Sequence, residues 1–154
     1  MLLRTHFIFN LFIFLLLLKL KILVFSLPLF IIFFLATCLP DIDIAGSFIS
    51  KKTKPLSNFL HIITNHREEF HSLLFCLALS LIVFLITRNI LFFIVFFVFY
   101  FLHLLLDSFN VSGIRWFWPL KWKTSGKIKT GRFLESLIFL VFSFASVILI
   151  ILII

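Results

Sequence analysis

Five long apolar stretches, each bounded by charged or turn-forming residues, organise this chain. They run from Leu2 to Leu18, Ile22 to Leu39, Leu73 to Ile86, Ile90 to Leu106 and Phe133 to Ile154. A helix crosses the hydrocarbon of a bilayer with roughly 17–20 apolar residues. The third stretch is short unless Phe70 to Ser72 join it. Aromatic and β-branched residues abound, yet an open sheet leaves its edge amides without partners in lipid, so helices are expected. Thr87-Arg88-Asn89 leaves room only for a tight connection, which predicts a helical hairpin of the third and fourth stretches. The pattern therefore predicts an all-α fold: a multi-pass membrane helical bundle of about five apolar helices, in one domain spanning residues 1–154.

Two polar loops remain, 40–72 and 108–132. In the first, Leu56, Phe59, Leu60 and Ile63 follow i, i+3, i+4, i+7 spacing behind Pro55, which predicts a short interfacial helix lying on the membrane surface. In the second, Trp116, Trp118 and Trp122 read as anchors at the membrane boundary.

Composition agrees. Of 154 residues, 63% are hydrophobic and 13% charged, and the mean hydropathy is +1.27. A soluble domain is about half apolar and a quarter charged, so a solvated domain is excluded. The first stretch is not read as a signal peptide, because the apolar region is too long and Lys19 and Lys21 split it. Cys38 and Cys76 lie in or beside apolar stretches without paired spacing and read as free, buried thiols.

The charge distribution supplies an orientation. With five crossings, the N-terminus and both polar loops share one side. That side carries Arg4, Lys51, Lys52, Lys54, Arg67, Arg115, Lys121, Lys123, Lys127, Lys129 and Arg132; the other carries Lys19, Lys21 and Arg88. Basic residues mark cytoplasmic loops, so the polar loops and N-terminus are expected in the cytoplasm. The net charge of +8 is accounted for by topology and calls for no nucleic-acid partner.

The same arrangement gathers every acid and histidine on the cytoplasmic side, near hydrocarbon, where such groups are costly and mark function. Three motifs carry the chemistry. In Leu39-Pro40-Asp41-Ile42-Asp43, Pro40 ends a helix and two carboxylates follow at i and i+2, suited to a divalent cation or an activated water. In His66-Arg67-Glu68-Glu69-Phe70-His71-Ser72, the two histidines do not share a helix face, but they can converge if His66 precedes the helix; Arg67 suits a phosphate or a carboxylate. In His103-Leu104-Leu105-Leu106-Asp107, i and i+4 lie one turn apart on one face. That fits two ligands of one metal, or a histidine oriented by a carboxylate. His6 and Glu135 each open an apolar helix on the same side.

In this order, Thr5-His6, LPDID, HR-x3-HS, H-x3-D, Trp118-Pro119 and then Glu135 after Gly131 resemble the inner-membrane-associated, LexA-binding, metal-dependent hydrolase family, over about residues 5 to 140. The resemblance implies a multi-pass helical protein with metal-dependent hydrolase activity. Its motif positions fall on His6, Asp41, Asp43, His66, Arg67, His71, His103, Asp107 and Glu135. More distantly, the His and Asp series is similar to zinc-dependent phospholipase C and P1-type nucleases, which implies phosphoester substrates. The chain departs from the HRGFTHS form common in the family: with Glu68, Glu69 and Phe70 before His71, the threonine is lost and two carboxylates are gained, and Asn10 stands where glycine is common.

The expectation is a membrane-bound metal-dependent hydrolase. His6, Asp41, Asp43, His66, His71, His103 and Asp107 are the candidate ligands of one or two divalent ions, zinc foremost. Asp43, Arg67 and Glu135 are the candidate catalytic residues, and a lipid-linked or other phosphoester is the candidate substrate. The competing expectation is a non-catalytic membrane adaptor whose basic cytoplasmic loops bind a protein partner or anionic lipid. A transporter would need ionisable groups at mid-membrane, and here they lie at helix ends.

Overall fold

A computed structural model of the chain describes residues 1–41 and 70–153. The expected interfacial helix over Leu56–Ile63 lies outside the described residues. The described residues form an all-helical protein: α1 (Leu3–Lys19), α2 (Leu27–Cys38) continued by a 3₁₀ turn Leu39–Asp41, α3 (Leu73–Thr87), α4 (Ile90–Ser108) and α5 (Phe133–Ile153).

Local chemistry sets the boundaries. The second apolar stretch begins at Ile22, but the helix starts only at Leu27. Ser26 Oγ accepts from the Leu29 amide at 3.4 Å and Pro28 occupies the first turn, both strong helix-start signals. Ser72 caps α3 in the same way, accepting from the Phe75 amide at 3.2 Å. The third helix therefore does not absorb Phe70 to Ser72. The predicted hairpin is present: Arg88 adopts a left-handed conformation (φ 53°) and Asn89 Oδ1 caps α4 through the Leu91 amide at 2.9 Å.

α4 and α5 are long and apolar enough to cross a membrane, with mean hydropathies of 2.5 and 3.0; α2 with its 3₁₀ turn and α3 are shorter apolar helices. α4 is central, 44% of it buried, and α5 is peripheral, 6% buried. α5 thus turns Leu140, Val141, Phe144 and Ile151 outward.

Contacts define the helix directions. α1 and α5 run the same way. The Leu2 amide donates to Glu135 at one end, Phe9 and Phe12 meet Phe142 midway, and Lys19 Nζ reaches the Leu152 carbonyl at the other end. α2 returns along α1, with Phe14 stacked on Phe33 and Asn10 beside Thr37. α4 packs across both, Phe99 meeting Phe14 and Phe33. α3 leaves the end to which α4 returns, with Phe84 against Phe93 at the hairpin. Successive helices thus alternate in direction. The starts of α1, α3 and α5 and the ends of α2 and α4 meet at one end of the bundle.

Lipid tails are as apolar as leucine, so apolar burial alone does not hold such helices together; packing and interhelical hydrogen bonds do. Asn10 supplies them here. Fully buried, its Nδ2 donates to Thr37 Oγ1 at 3.0 Å and to the Phe99 carbonyl at 2.9 Å, tying α1, α2 and α4.

Residues 109–132 fold over the converging end. Asn110 bridges Ile128, and Ile114 bridges Thr124. Gly126 is required by close approach, since a Cβ there would lie 2.2 Å from the Phe109 carbonyl oxygen. Trp116 packs on Phe101 with ring centroids 5.6 Å apart, whereas Trp122 is 68% exposed. Cys38 and Cys76 are free and buried, as expected.

Candidate metal centre

The end of α2 delivers Asp41 and the last turns of α4 deliver His103 and Asp107. The lead-in to α3 delivers His71, held from both sides: Tyr100 Oη donates to the Phe70 carbonyl at 2.7 Å and the Leu73 amide donates to the Trp116 carbonyl at 2.8 Å. All four side chains are buried, at 0% to 8% exposure. One donor atom from each falls within 4.8 Å of the other three.

The individual spacings are informative. His71 Nε2 lies 3.5 Å from Asp41 Oδ1 and 3.3 Å from Asp107 Oδ2, and His103 Nε2 lies 3.7 Å from each of the same two oxygens. Ligands bonded at about 2.0–2.1 Å to a tetrahedral ion are separated by about 3.3–3.4 Å. The donor atoms are therefore already spaced as the edges of a site for one small cation.

Their hydrogen bonding fits the same use. His103 Nδ1 lies 2.9 Å from the Thr37 carbonyl, which leaves Nε2 without a hydrogen-bond partner among the described residues. Asp41 Oδ2 and His71 Nδ1 are likewise without one. An unpaired buried polar atom is costly, and a cation between the two carboxylates would remove that cost for His103 Nε2. Burial works against protonation of His71, but hydrogen bonds to Asp107 and Asp41 outweigh it and raise the imidazole pKa to about 9. Without a metal, a proton on His71 shares the charge of the two carboxylates.

The expected site residues separate into three groups. Asp41, His71, His103 and Asp107 come together as anticipated. His6 lies behind them: its ring stacks on His103 with centroids 3.8 Å apart, and its Nε2 is 3.1 Å from Asp107 Oδ1, the oxygen not shared with His71 and His103. The Met1 amino group contacts that same oxygen. Glu135 is buried but outside the four-residue group. Its two oxygens accept from the Leu2 and Gly131 amides, each at 2.5 Å, which joins the starts of α1 and α5 to the preceding loop. Asp43, His66 and Arg67 lie outside the described residues.

Sequence reasoning missed the supports: Thr37 through its carbonyl, Tyr100 and Asn10. Asn10 had a visible signal, a polar amide inside an apolar stretch. A backbone carbonyl has none. It also missed the loop residues that complete the site. The cluster opens into a cavity of about 280 Å³, lined by Asp41, His71 and Asp107 and by loop residues that include Asn110, Arg115 and Lys123.

The family is decided by comparison with protein-family models. The model described as "YdjM inner membrane protein" matches residues 1–154. The chain belongs to the YdjM inner membrane protein family. No curated protein and no solved structure matches it. The apolar outer surface of α5 agrees with YdjM-family membership, and the cluster lies at the end of α4, a helix long enough to span a membrane.

Proposed function

We propose that this chain is a membrane-bound metal-dependent hydrolase in which Asp41, His71, His103 and Asp107 hold one divalent ion. The observation that carries this reading is the set of 3.3–3.7 Å spacings between two imidazole nitrogens and two carboxylate oxygens beside a cavity. A mixed nitrogen and oxygen donor set suits zinc. When bound, such an ion supplies Lewis acidity and lowers the pKa of nearby water.

The chain's own residues then have distinct roles. The Thr37 carbonyl holds His103 with Nε2 turned to the ion. His6 holds Asp107 through its second oxygen, as supporting residues around metal sites do. Glu135 positions the start of α1, and with it His6. Asp43 is the candidate base, His66 a further ligand and Arg67 an anion contact, on the strength of their motif positions. A lipid-linked or other phosphoester is the substrate class this site suits.

Topology belongs to the same proposal. Five alternating helices, with the basic residues concentrated at the end where the cluster lies, support five crossings with the site at the cytoplasmic face. α3, at 15 residues and about 22 Å, crosses with local thinning of the bilayer or with help from its flanks.

The test is metal content by mass spectrometry on protein purified in mild detergent, together with hydrolysis of phosphomonoester and phosphodiester substrates. One ion per chain, lost in Asp41→Ala and His103→Ala along with hydrolysis, is the expected result. A chain without metal, or with metal unaffected by both substitutions, defeats the proposal. Binding of anionic lipid that survives both substitutions, with no hydrolysis in the parent protein, would favour a membrane adaptor acting through its basic loops.

A further inference from the structure

The loop over the cluster contains a charge arrangement that the metal site does not explain. Ile114 and Thr124 form an antiparallel bridge in which each amide donates to the other's carbonyl at 2.9 Å. Arg115 directly follows Ile114 and Lys123 directly precedes Thr124. Both residues also line the cavity that Asp41, His71 and Asp107 line, together with the polar Asn110, Ser112 and Thr130.

The shared lining gives Arg115 and Lys123 a common ligand once an ion lies between the carboxylates. The ion balances the charges of Asp41 and Asp107, and Arg115 and Lys123 then give the described lining a net positive charge. Two cations lining the same small cavity as a metal centre match a dianion better than a monoanion. A guanidinium fork beside an ammonium suits a phosphate group, which offers several oxygens to both at once.

We propose that Arg115 and Lys123 form an anion subsite that binds the phosphate group of the substrate facing the metal centre. This rests on the metal-hydrolase reading above and adds to it the group that the site selects. The surface beside the subsite is amphipathic: Phe117 and Trp122 stack at 5.9 Å, and Leu120 is 64% exposed. The phosphate is carried either by a lipid headgroup or by a soluble monoester, and binding measurements separate the two.

The test uses the full chain in detergent and in nanodiscs. Inorganic phosphate binding is measured by calorimetry, and metal content is measured on the same samples. Arg115→Gln and Lys123→Gln are each expected to weaken phosphate binding about ten- to a hundredfold, the range for losing one charge-assisted hydrogen bond. Metal content should match the parent protein, and Lys123→Arg should restore most of the affinity. Lys123 is exposed, so its substitution keeps the test decisive if Arg115→Gln fails to fold. Displacement of inorganic phosphate by phosphatidic acid in phosphatidylcholine nanodiscs assigns the site to lipid. Retention of inorganic phosphate there assigns it to soluble monoesters. Phosphate binding that is absent from the parent protein, or equal in parent and Lys123→Gln, overturns the subsite. A metal-free parent that binds phosphate through Lys123 retains the subsite and overturns the hydrolase reading instead.

Discussion

His103 Nδ1 lies 2.9 Å from the carbonyl oxygen of Thr37, and a carbonyl can only accept a hydrogen bond. The proton of a neutral His103 is therefore on Nδ1, and the lone pair of Nε2 faces Asp41 and Asp107 at 3.7 Å. Three electron-rich atoms converge in a buried site, an arrangement that suits a cation. His103→Ala is accordingly expected to abolish metal binding. Thr37→Val leaves the carbonyl in place and should keep the metal, losing only the hydroxyl's bonds with Asn10 and the Phe33 carbonyl. Metal counts for the two variants check this, and equal metal loss in both would overturn the role given to the carbonyl.

Asn10 is expected to contribute to stability without contributing to metal affinity. Interhelical hydrogen bonds in membranes are worth about 0.6 kcal/mol on average and up to about 1.7, and Asn10 makes two. Asn10→Ala should lower the thermal midpoint in detergent by an amount equivalent to roughly 1–3 kcal/mol, with metal content unchanged.

Glu135 separates a structural from a chemical role. Both of its oxygens accept backbone amides, and a glutamine keeps only one carbonyl acceptor. Glu135→Gln should therefore destabilise the protein by about 1–3 kcal/mol while metal binding persists. A variant of unchanged stability that has lost hydrolysis would instead make Glu135 the catalytic base expected from its motif position.

Metal uptake should depend on pH through His71. Its imidazole pKa is raised from 6.5 to about 9 in the folded, metal-free protein. The stabilisation from its protonated form is thus fully present below about 6.5 and is lost as pH rises through about 9. A metal needs the neutral ring. Uptake near neutral pH should release a proton, and affinity should increase with pH before levelling above about 9. Dye-detected proton release in weak buffer measures this, and pH-independent uptake without release would contradict it.

Topology is open to direct labelling. Single cysteines placed at Arg88 and at Lys121, in a chain freed of Cys38 and Cys76, should react with a membrane-impermeant maleimide from opposite sides. Arg88→Cys is expected to label from outside intact cells and Lys121→Cys only after permeabilisation. Labelling of both from one side would refute five crossings.

The sequence by itself determined the helices and much of the ligand set. Hydrophobic runs and turn residues are local signals, so the all-helical fold and the Thr87–Asn89 hairpin were legible. His103 and Asp107 were legible as a pair because i and i+4 share a helix face whatever the surroundings. Asp41 and His71 stood out as polar groups beside apolar stretches, and resemblance linked them to the same site. Tertiary structure alone decided which of these atoms meet. The Phe- and Leu-rich helices present similar surfaces all round, so nothing local specifies that α2 ends beside α4, or that α1 brings His6 behind His103. For the same reason Glu135, which opens its helix among the candidate catalytic residues, is engaged by two backbone amides. Arg115 and Lys123, ordinary loop charges in the sequence, come to line one cavity only in the folded loop, where Ile114 pairs with Thr124. Spacing along a helix is set by the backbone; spacing between helix ends is set by packing that no short stretch of sequence encodes.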